Sequence, residues 1–466
     1  MNQKKGFGLG EVVQAREIST SGYSPNETRR IMALLAFCVV LMMTGFGIIV
    51  PVFARRLGEF GSGVETLGYM TMSFALAQFV AAPIMGSMAD RYGRRPLIII
   101  GLVAFALANV GFLFAPSSEV FILIRLLEGA FTAGIFPAAM GVVSDISPEG
   151  DRARWAGILM GSYGAGFIFG PVLGGFLYDT WGYAMVFIAS AVMATLALVA
   201  AIIILPETHT ESIRRREKLL KRRETAFTKT RKKSLFDTLP RPLYIFGMLL
   251  LIDFVIIFTF AFVEPEMVFY FYDDLGWTTI QFGLVVGAYG ASMVIGQWFL
   301  GPLSDRFARK PVIIIGMTLF AVFYIGLVIS INYYVMLLIA IISGIGEALM
   351  MPALSAYYMD ISDERYRSRV LGFKESAASL GGVIGPLTVA LISAMVTSQT
   401  IFMVAFIVTI LTTILAMIVL KEPRREFEQT KDITQDLSRQ RSMAAQTAYS
   451  GIVINAGTSR TSRFDS

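Results

Sequence analysis

The chain is 466 residues long, 55% hydrophobic and 16% charged, with a formal net charge of +6. Soluble domains carry about 25% charged residues, and a deficit this large over this length excludes a water-soluble globular fold. One cysteine (Cys38) and one histidine (His209) leave no disulfide framework and no Cys- or His-based metal site, so no metal is expected.

The first thirty residues are polar and carry Lys4, Lys5, Arg16, Arg29 and Arg30. The apolar run from Ile31 to Phe53 is too long for a signal-peptide core and no small-residue cleavage site follows it, so it reads as a retained first span. A spanning helix needs about 20 mostly apolar residues. Runs of that kind predict twelve spans near 31–53, 66–89, 96–115, 119–143, 155–178, 182–205, 243–271, 279–303, 311–331, 333–358, 369–393 and 398–420. Long helical spans exclude an outer-membrane barrel. The expected class is all-α integral membrane, with a cytoplasmic N-terminal tail (1–30), a six-helix bundle (31–205), a basic linker (206–242), a second six-helix bundle (243–420) and a disordered tail (421–466).

Lys and Arg set the orientation. Alternate loops, with both tails, hold nearly all of them: the 206–242 segment alone has twelve and the C-terminal tail eight, while the opposite loops have only Arg55 and Arg56. The reading is a multi-pass protein of the cell (inner) membrane with both termini cytoplasmic. Arg125 alone lies deep in a span.

A shift of 215 residues superposes the halves. Gly86, Asp90, Arg91, Arg94, Arg95 and Pro96 fall on Gly301, Asp305, Arg306, Arg309, Lys310 and Pro311; Gly129, Pro137 and Asp145 fall on Gly344, Pro352 and Asp360. Gly166, Gly170 and Pro171 fall on Gly381, Gly385 and Pro386. Two halves in parallel repeat place a substrate site at their interface, near the bilayer midplane.

The loop after span two reads Gly86-Ser-Met-Ala-Asp90-Arg91-Tyr-Gly93-Arg94-Arg95. Gly86 allows close helix approach, Asp90 suits a neighbouring helix N-terminus, and Arg94 has Asp145 as a candidate partner. Span five places Gly166, Gly170, Pro171, Gly174 and Gly175 within ten residues, a flat packing face with a bend. On these residues the chain resembles the major facilitator superfamily over about 31–420, and within it the twelve-helix, tetracycline-exporter-like branch of drug:proton antiporters. The second-half copy of the loop, Arg125-Leu-Leu-Glu128-Gly129 in span four, Leu205-Pro-Glu-Thr-His209 and Met351-Pro-Ala-Leu354 are similar to the same branch. The resemblance implies a conformational charge relay of Gly86, Asp90, Arg94 and Asp145 with Asp305, Arg309 and Asp360, an antiporter motif in span five, and proton coupling at Arg125. Three positions depart from the pattern: Met42, Met43 and Thr44 stand where many drug exporters have an acid in span one, Glu128 replaces a glutamine, and Ala308 replaces the signature glycine.

An ionisable group inside a span costs several kcal/mol unless it is paired or neutral, so it is a functional candidate. The candidates for proton coupling in a central cavity are Arg125, Glu128, Asp253, Glu264 and Glu347. Glu128 lies three residues beyond Arg125, within pairing distance on a helix, either as a structural pair or as part of the coupling. Glu264 lies eleven residues beyond Asp253, which at about 100° per residue predicts one stripe with two carboxylates at different depths. Glu266 reads as structural or solvated and Glu375, beside Lys374, as interfacial. Trp155, Trp181 and Trp277 fall at span ends and read as interface anchors.

The expected activity is efflux of small amphipathic or hydrophobic compounds by alternating access. A carboxylate holds a proton or a cationic substrate but not both, which couples the fluxes; Asp253 and Glu264 lead, with Arg125 tuning them. No nucleotide-phosphate loop is present, so the proton gradient stands as energy source with no cofactor. The expected partners are a small-molecule substrate, protons and the bilayer, with no nucleic acid, and the chain is expected to be a monomer. Uptake or transport of a specific metabolite and lipid or glycolipid flipping remain alternatives on the same fold. An enzyme is not expected.

Overall fold

The computed structural model describes residues 24–148, 151–208, 239–300, 308–363 and 366–422. Most of the N-terminal tail, His209, the central part of the linker, Asp305 and the C-terminal tail lie outside the described residues.

Twelve spans are present among the described residues, all helical. In chain order they are Pro25–Glu59, Val64–Tyr92, Arg94–Phe114, a broken span of Ser118–Thr132 and Ile135–Ile146, Arg152–Trp181, Tyr183–Ile204, Leu243–Phe269 continuing as a π turn Tyr270–Asp274, Thr279–Leu300, Arg309–Ile329, Tyr333–Asp360, Arg367–Ile392 and Ser398–Val419. In hydrocarbon every backbone N–H and C=O must be satisfied within the chain, which selects helices here. Span one runs further than its apolar core because Ser24 and Glu27 form a reciprocal capping box at its start. Spans two and three are joined through Gly93 (φ 118°), and five and six through Gly182 (φ 80°). A reversal through one residue needs backbone angles that L side chains disfavour. Large apolar side chains such as Ile203 and Ile418 are exposed, forming the face that meets lipid.

The packing obeys the repeat. Span one packs on five and six as seven packs on eleven and twelve; two pairs with four as eight pairs with ten; three pairs with six as nine pairs with twelve. The main contacts between the halves, five with eight and two with eleven, are exchanged by the same pseudo-two-fold. A Cβ on Gly283 would meet the Pro171 carbonyl, and a Cβ on Gly68 the Pro386 carbonyl at 2.8 Å. Both members of the second pair are the first shifted by 215 residues.

These crossings lie at the end of the molecule remote from the Arg94 and Arg309 loops. Toward the basic end, Gly157 and its counterpart Gly372 have no described atom within 4 Å of a Cβ position. Among the described residues, the closest backbone crossings between the halves thus lie toward the end remote from the basic loops. Trp277 corrects the sequence expectation: it is buried at the joined end, stacked on Phe271 at 4.4 Å, rather than anchored at the interface. Aromatic partners there outcompete the interfacial position.

Candidate functional site

Arg125 and Glu128 lie one turn apart on the first piece of span four, and both are buried. Arg125 Nη1 meets Glu128 Oε2 at 3.1 Å. The guanidinium also lies 4.5 Å from the Phe53 ring centre, 4.7 Å from Phe74 and 5.1 Å from Phe46, an aromatic cage from spans one and two. Glu128 Oε1 and Arg125 Nε have no hydrogen-bond partner among the described residues. The pair is thus joined through one contact and keeps one acceptor and one donor in reserve.

Glu264, partly buried on span seven, belongs to the other half, and the charge of Arg125 is the one that acts on it. The second half also brings Glu347 of span ten. Tyr289 of span eight donates a short hydrogen bond to Glu347, and the Tyr289 ring packs against Phe260 and Phe323. Tyr324 donates to Thr259 at 3.0 Å and lies within electrostatic reach of Glu347. Glu128 of span four and Glu347 of span ten are therefore each set beside aromatic rings, one in each half.

Asp253 is not part of this arrangement. Its partners are Tyr358, which donates to Oδ2 at 2.6 Å, and Lys374 Nζ at 3.8 Å from Oδ1. All three belong to the second half and Asp253 is buried. Of the two carboxylates expected on one stripe, Asp253 is engaged by spans ten and eleven of its own half, while the charge of Arg125 acts on Glu264. Spacing placed the two on one helix face, but Lys374, assigned to an interfacial pair with Glu375, reaches inward to Asp253 as well as to Glu375 at 3.3 Å. The residues related by the repeat, Cys38, Val143 and Leu159, form part of one apolar cluster in the first half. The ion pair is thus a lock peculiar to the second half. Glu266 accepts from Ser398 at 2.7 Å, consistent with a structural role.

At the basic end Arg94 joins Asp90 (2.6 Å) and Asp145 (3.5 Å), and Arg309 joins Asp360 (3.1 Å). Two residues not foreseen from the sequence complete each cluster. Glu207 accepts from the backbone N–H groups of Arg94 and Arg95 at 3.0 and 3.2 Å, capping span three, whose preceding Gly93 has no side chain to do so. Glu422 accepts from Arg309 and Lys310 in the same way at the start of span nine. These glutamates are themselves 215 residues apart, which is the signal that could have found them. Ala308, at φ −63°, cannot copy the Gly93 backbone; a Cβ at 93 would strike the Glu207 carboxylate. At Gly86, among the described residues, nothing lies within 4 Å of a Cβ position. Asp305 lies outside the described residues.

The span-five glycines divide between two faces. Gly166, Gly170 and Gly174 lie on span one against Met43 and Thr44, Gly47 and Ile48, whereas Gly175 lies on Thr279 and Ile280 of span eight in the other half. Pro171 presents its carbonyl to Gly283.

The chain matches the sequence profile of the Major Facilitator Superfamily over residues 35–272 and 249–459. It belongs to the major facilitator superfamily. It is 31% identical to Tetracycline resistance protein, class G, of Vibrio anguillarum over 78% of this chain and 91% of that one. It is 28% identical to Multidrug resistance protein 2 of Bacillus subtilis (78% and 88%) and 25% identical to Quinolone resistance protein NorA of Staphylococcus aureus (76% and 87%). In fold it is similar to a bacterial homolog of the human lysosomal transporter Spinster, in an inward-facing and occupied conformation (TM-score 0.67, 15% identity, 85% and 98% covered). It is also similar to the human organic anion transporter MFSD10 (TETRAN; 0.60, 19%, 84% and 100%). The family assignment makes the chain a secondary membrane transporter and not an enzyme, with drug-efflux proteins as its relatives.

Proposed function

We propose that this transporter exports small amphipathic or hydrophobic compounds, such as drugs, in exchange for protons. The observation that carries the reading is the set of carboxylates around Arg125. Glu128 is held by one contact with one oxygen unpartnered among the described residues, and the charge of the same guanidinium also acts on Glu264 in the opposite half. Charge neutrality among them changes when a proton or a cationic substrate enters, and that exchange couples the fluxes. Glu347, hydrogen-bonded by Tyr289, is the second proton carrier. Asp253 is reassigned to a lock within the second half, because Lys374 and Tyr358 already satisfy it.

The distribution of Lys and Arg supports placing the basic end and both termini in the cytoplasm of a cell-membrane protein. On that orientation the close crossings between the halves lie on the outside, as suits a state that receives cargo from the cytoplasm for export. The rings near the carboxylates (Phe46, Phe74, Phe260, Tyr289) suit apolar cargo, and the lack of an acid at Met42–Thr44 leaves recognition of cations to Glu264 and Glu347.

Susceptibility profiling of an efflux-deficient bacterium expressing the chain, against chemically diverse drugs, tests this reading. The expected result is reduced accumulation of several unrelated compounds, abolished when the proton gradient is collapsed. Protection against none, together with scrambling of labelled lipid or uptake of one metabolite by proteoliposomes, would replace it with a flippase or metabolite transporter.

A further inference from the structure

The joined end is held by more than small-residue packing. Arg55, in the last turns of span one, donates through Nη2 to the Trp277 carbonyl at 2.7 Å and lies 3.9 Å over the Tyr272 ring. Tyr272, in the π turn that ends span seven, donates back to the Pro51 carbonyl at 2.6 Å. Residues 51 and 55, one turn apart, thus grip the second half from either side of that π turn. Trp277 is fixed in turn by Phe271 and by Tyr333, edge-on at 5.3 Å, so the anchor belongs rigidly to the second half.

A second polar contact lies at the adjoining seam. Asp179, at the end of span five, accepts from the backbone N–H groups of Thr279 at 3.2 Å and Ile280 at 2.8 Å. A carboxylate from one half therefore caps the first turn of span eight in the other, where the helix dipole favours it. The positions related to these by the 215-residue repeat are Tyr270 for Arg55, Leu57 for Tyr272, Ala394 for Asp179 and Val64 for Thr279. None of them is charged. Among the described residues, the seam of spans two and eleven, packed through Gly68, Pro386 and Ala390, shows no counterpart of this charged latch.

We propose that Arg55 and Asp179 are positioning residues of the transport reaction: they latch the outer mouth shut on the side of spans one, five, seven and eight, and set the population of the outward-open state. This rests on the reading of the chain as an alternating-access exporter whose remote end is external. Neither residue contacts Arg125, Glu128, Glu264 or Glu347, so the latch acts on the balance of states and leaves the cargo and proton groups intact. Outward opening breaks two charge-assisted contacts on one side while the other side only separates apolar surfaces, which makes the closure asymmetric.

Spin-label distances test the latch directly. In the full chain with Cys38→Ala, labels on Glu65→Cys and Gln399→Cys, both exposed at the joined end and one in each half, report its opening. The background protein should show mainly short distances. Arg55→Met with Asp179→Ala should raise the long-distance population about tenfold, and Asp179→Ala alone by less. Arg55→Lys, which keeps the charge but loses the planar stack, should fall between background and Arg55→Met. Should the double variant not fold, the two milder single variants carry the test. Unchanged distances in any correctly folded Asp179→Ala or Arg55→Lys protein would overturn the proposal, and so would equal shifts on alanine substitution of Ser62, near the same end but outside the latch. The measurement needs neither drug nor gradient. A latch response without drug export would count against the exporter reading and leave the latch standing.

Discussion

Arg125 is the residue on which the central cluster turns. Its guanidinium sits among three phenylalanine rings and touches one carboxylate oxygen. Removing one partner of a buried ion pair leaves an uncompensated charge, at a cost of about 3–5 kcal/mol. Arg125→Met should therefore lower the melting temperature in detergent sharply, and Arg125→Met with Glu128→Gln should recover most of the loss; a double variant no more stable than the single one would show that the pair is not the reason. Glu347→Gln keeps an acceptor for Tyr289 but cannot ionise. It should retain binding of an uncharged drug while gradient-driven export falls about tenfold or more, measured by binding and transport on the same preparation. Sequence alone reached Arg125, Glu128, Glu264 and Glu347, because an ionisable residue in an apolar run stands out without any coordinates. It did not reach the partners of Asp253: helical spacing describes one helix, whereas Lys374 and Tyr358 arrive from other spans.

Among the elements, span five shows how small residues position the rest. A Cβ on Gly170 would lie 2.6 Å from the Gly47 Cα, while one on Gly157 meets nothing among the described residues. Gly170→Ala should destabilise by about 1–3 kcal/mol through overpacking against span one, and Gly157→Ala should be near neutral; the two thermal shifts read together check the assignment. Spans three and nine test the caps. Glu207→Ala and Glu422→Ala should each cost about 0.5–2 kcal/mol, seen as lower melting temperatures of similar size. The existence and order of the twelve spans were legible because hydrophobic length is nearly sufficient in a membrane. The break in span four at Ala133–Gly134 and the π turn after Phe269 were not, since neither leaves a gap in hydropathy. Glu207 and Glu422 read as ordinary loop acids until the helix ends that they cap are located.

For the whole molecule, the 215-residue shift carried further than motif recognition did. It predicted which positions correspond, and the packing of Gly68 and Gly283 on the carbonyls of Pro386 and Pro171 follows that correspondence to the atom. What the repeat could not convey is where the two halves differ: Asp253 with Lys374 against Cys38 with Leu159, and a charged outer latch on one seam only. On the proposed reading those differences give a symmetric scaffold its direction, and they come from substitutions that a search for similarity passes over. The central claim is that proton entry and cargo exit are exchanged at the Arg125 carboxylates. Everted membrane vesicles carrying the chain, energised to an acidic interior and monitored with a pH-sensitive dye, test it most directly. Adding an uncharged drug that the chain exports should release protons from the lumen, and Glu264→Gln should abolish that release while the halves still bind the drug. Drug-dependent transport with no proton release, or release unchanged in Glu264→Gln, would contradict the account.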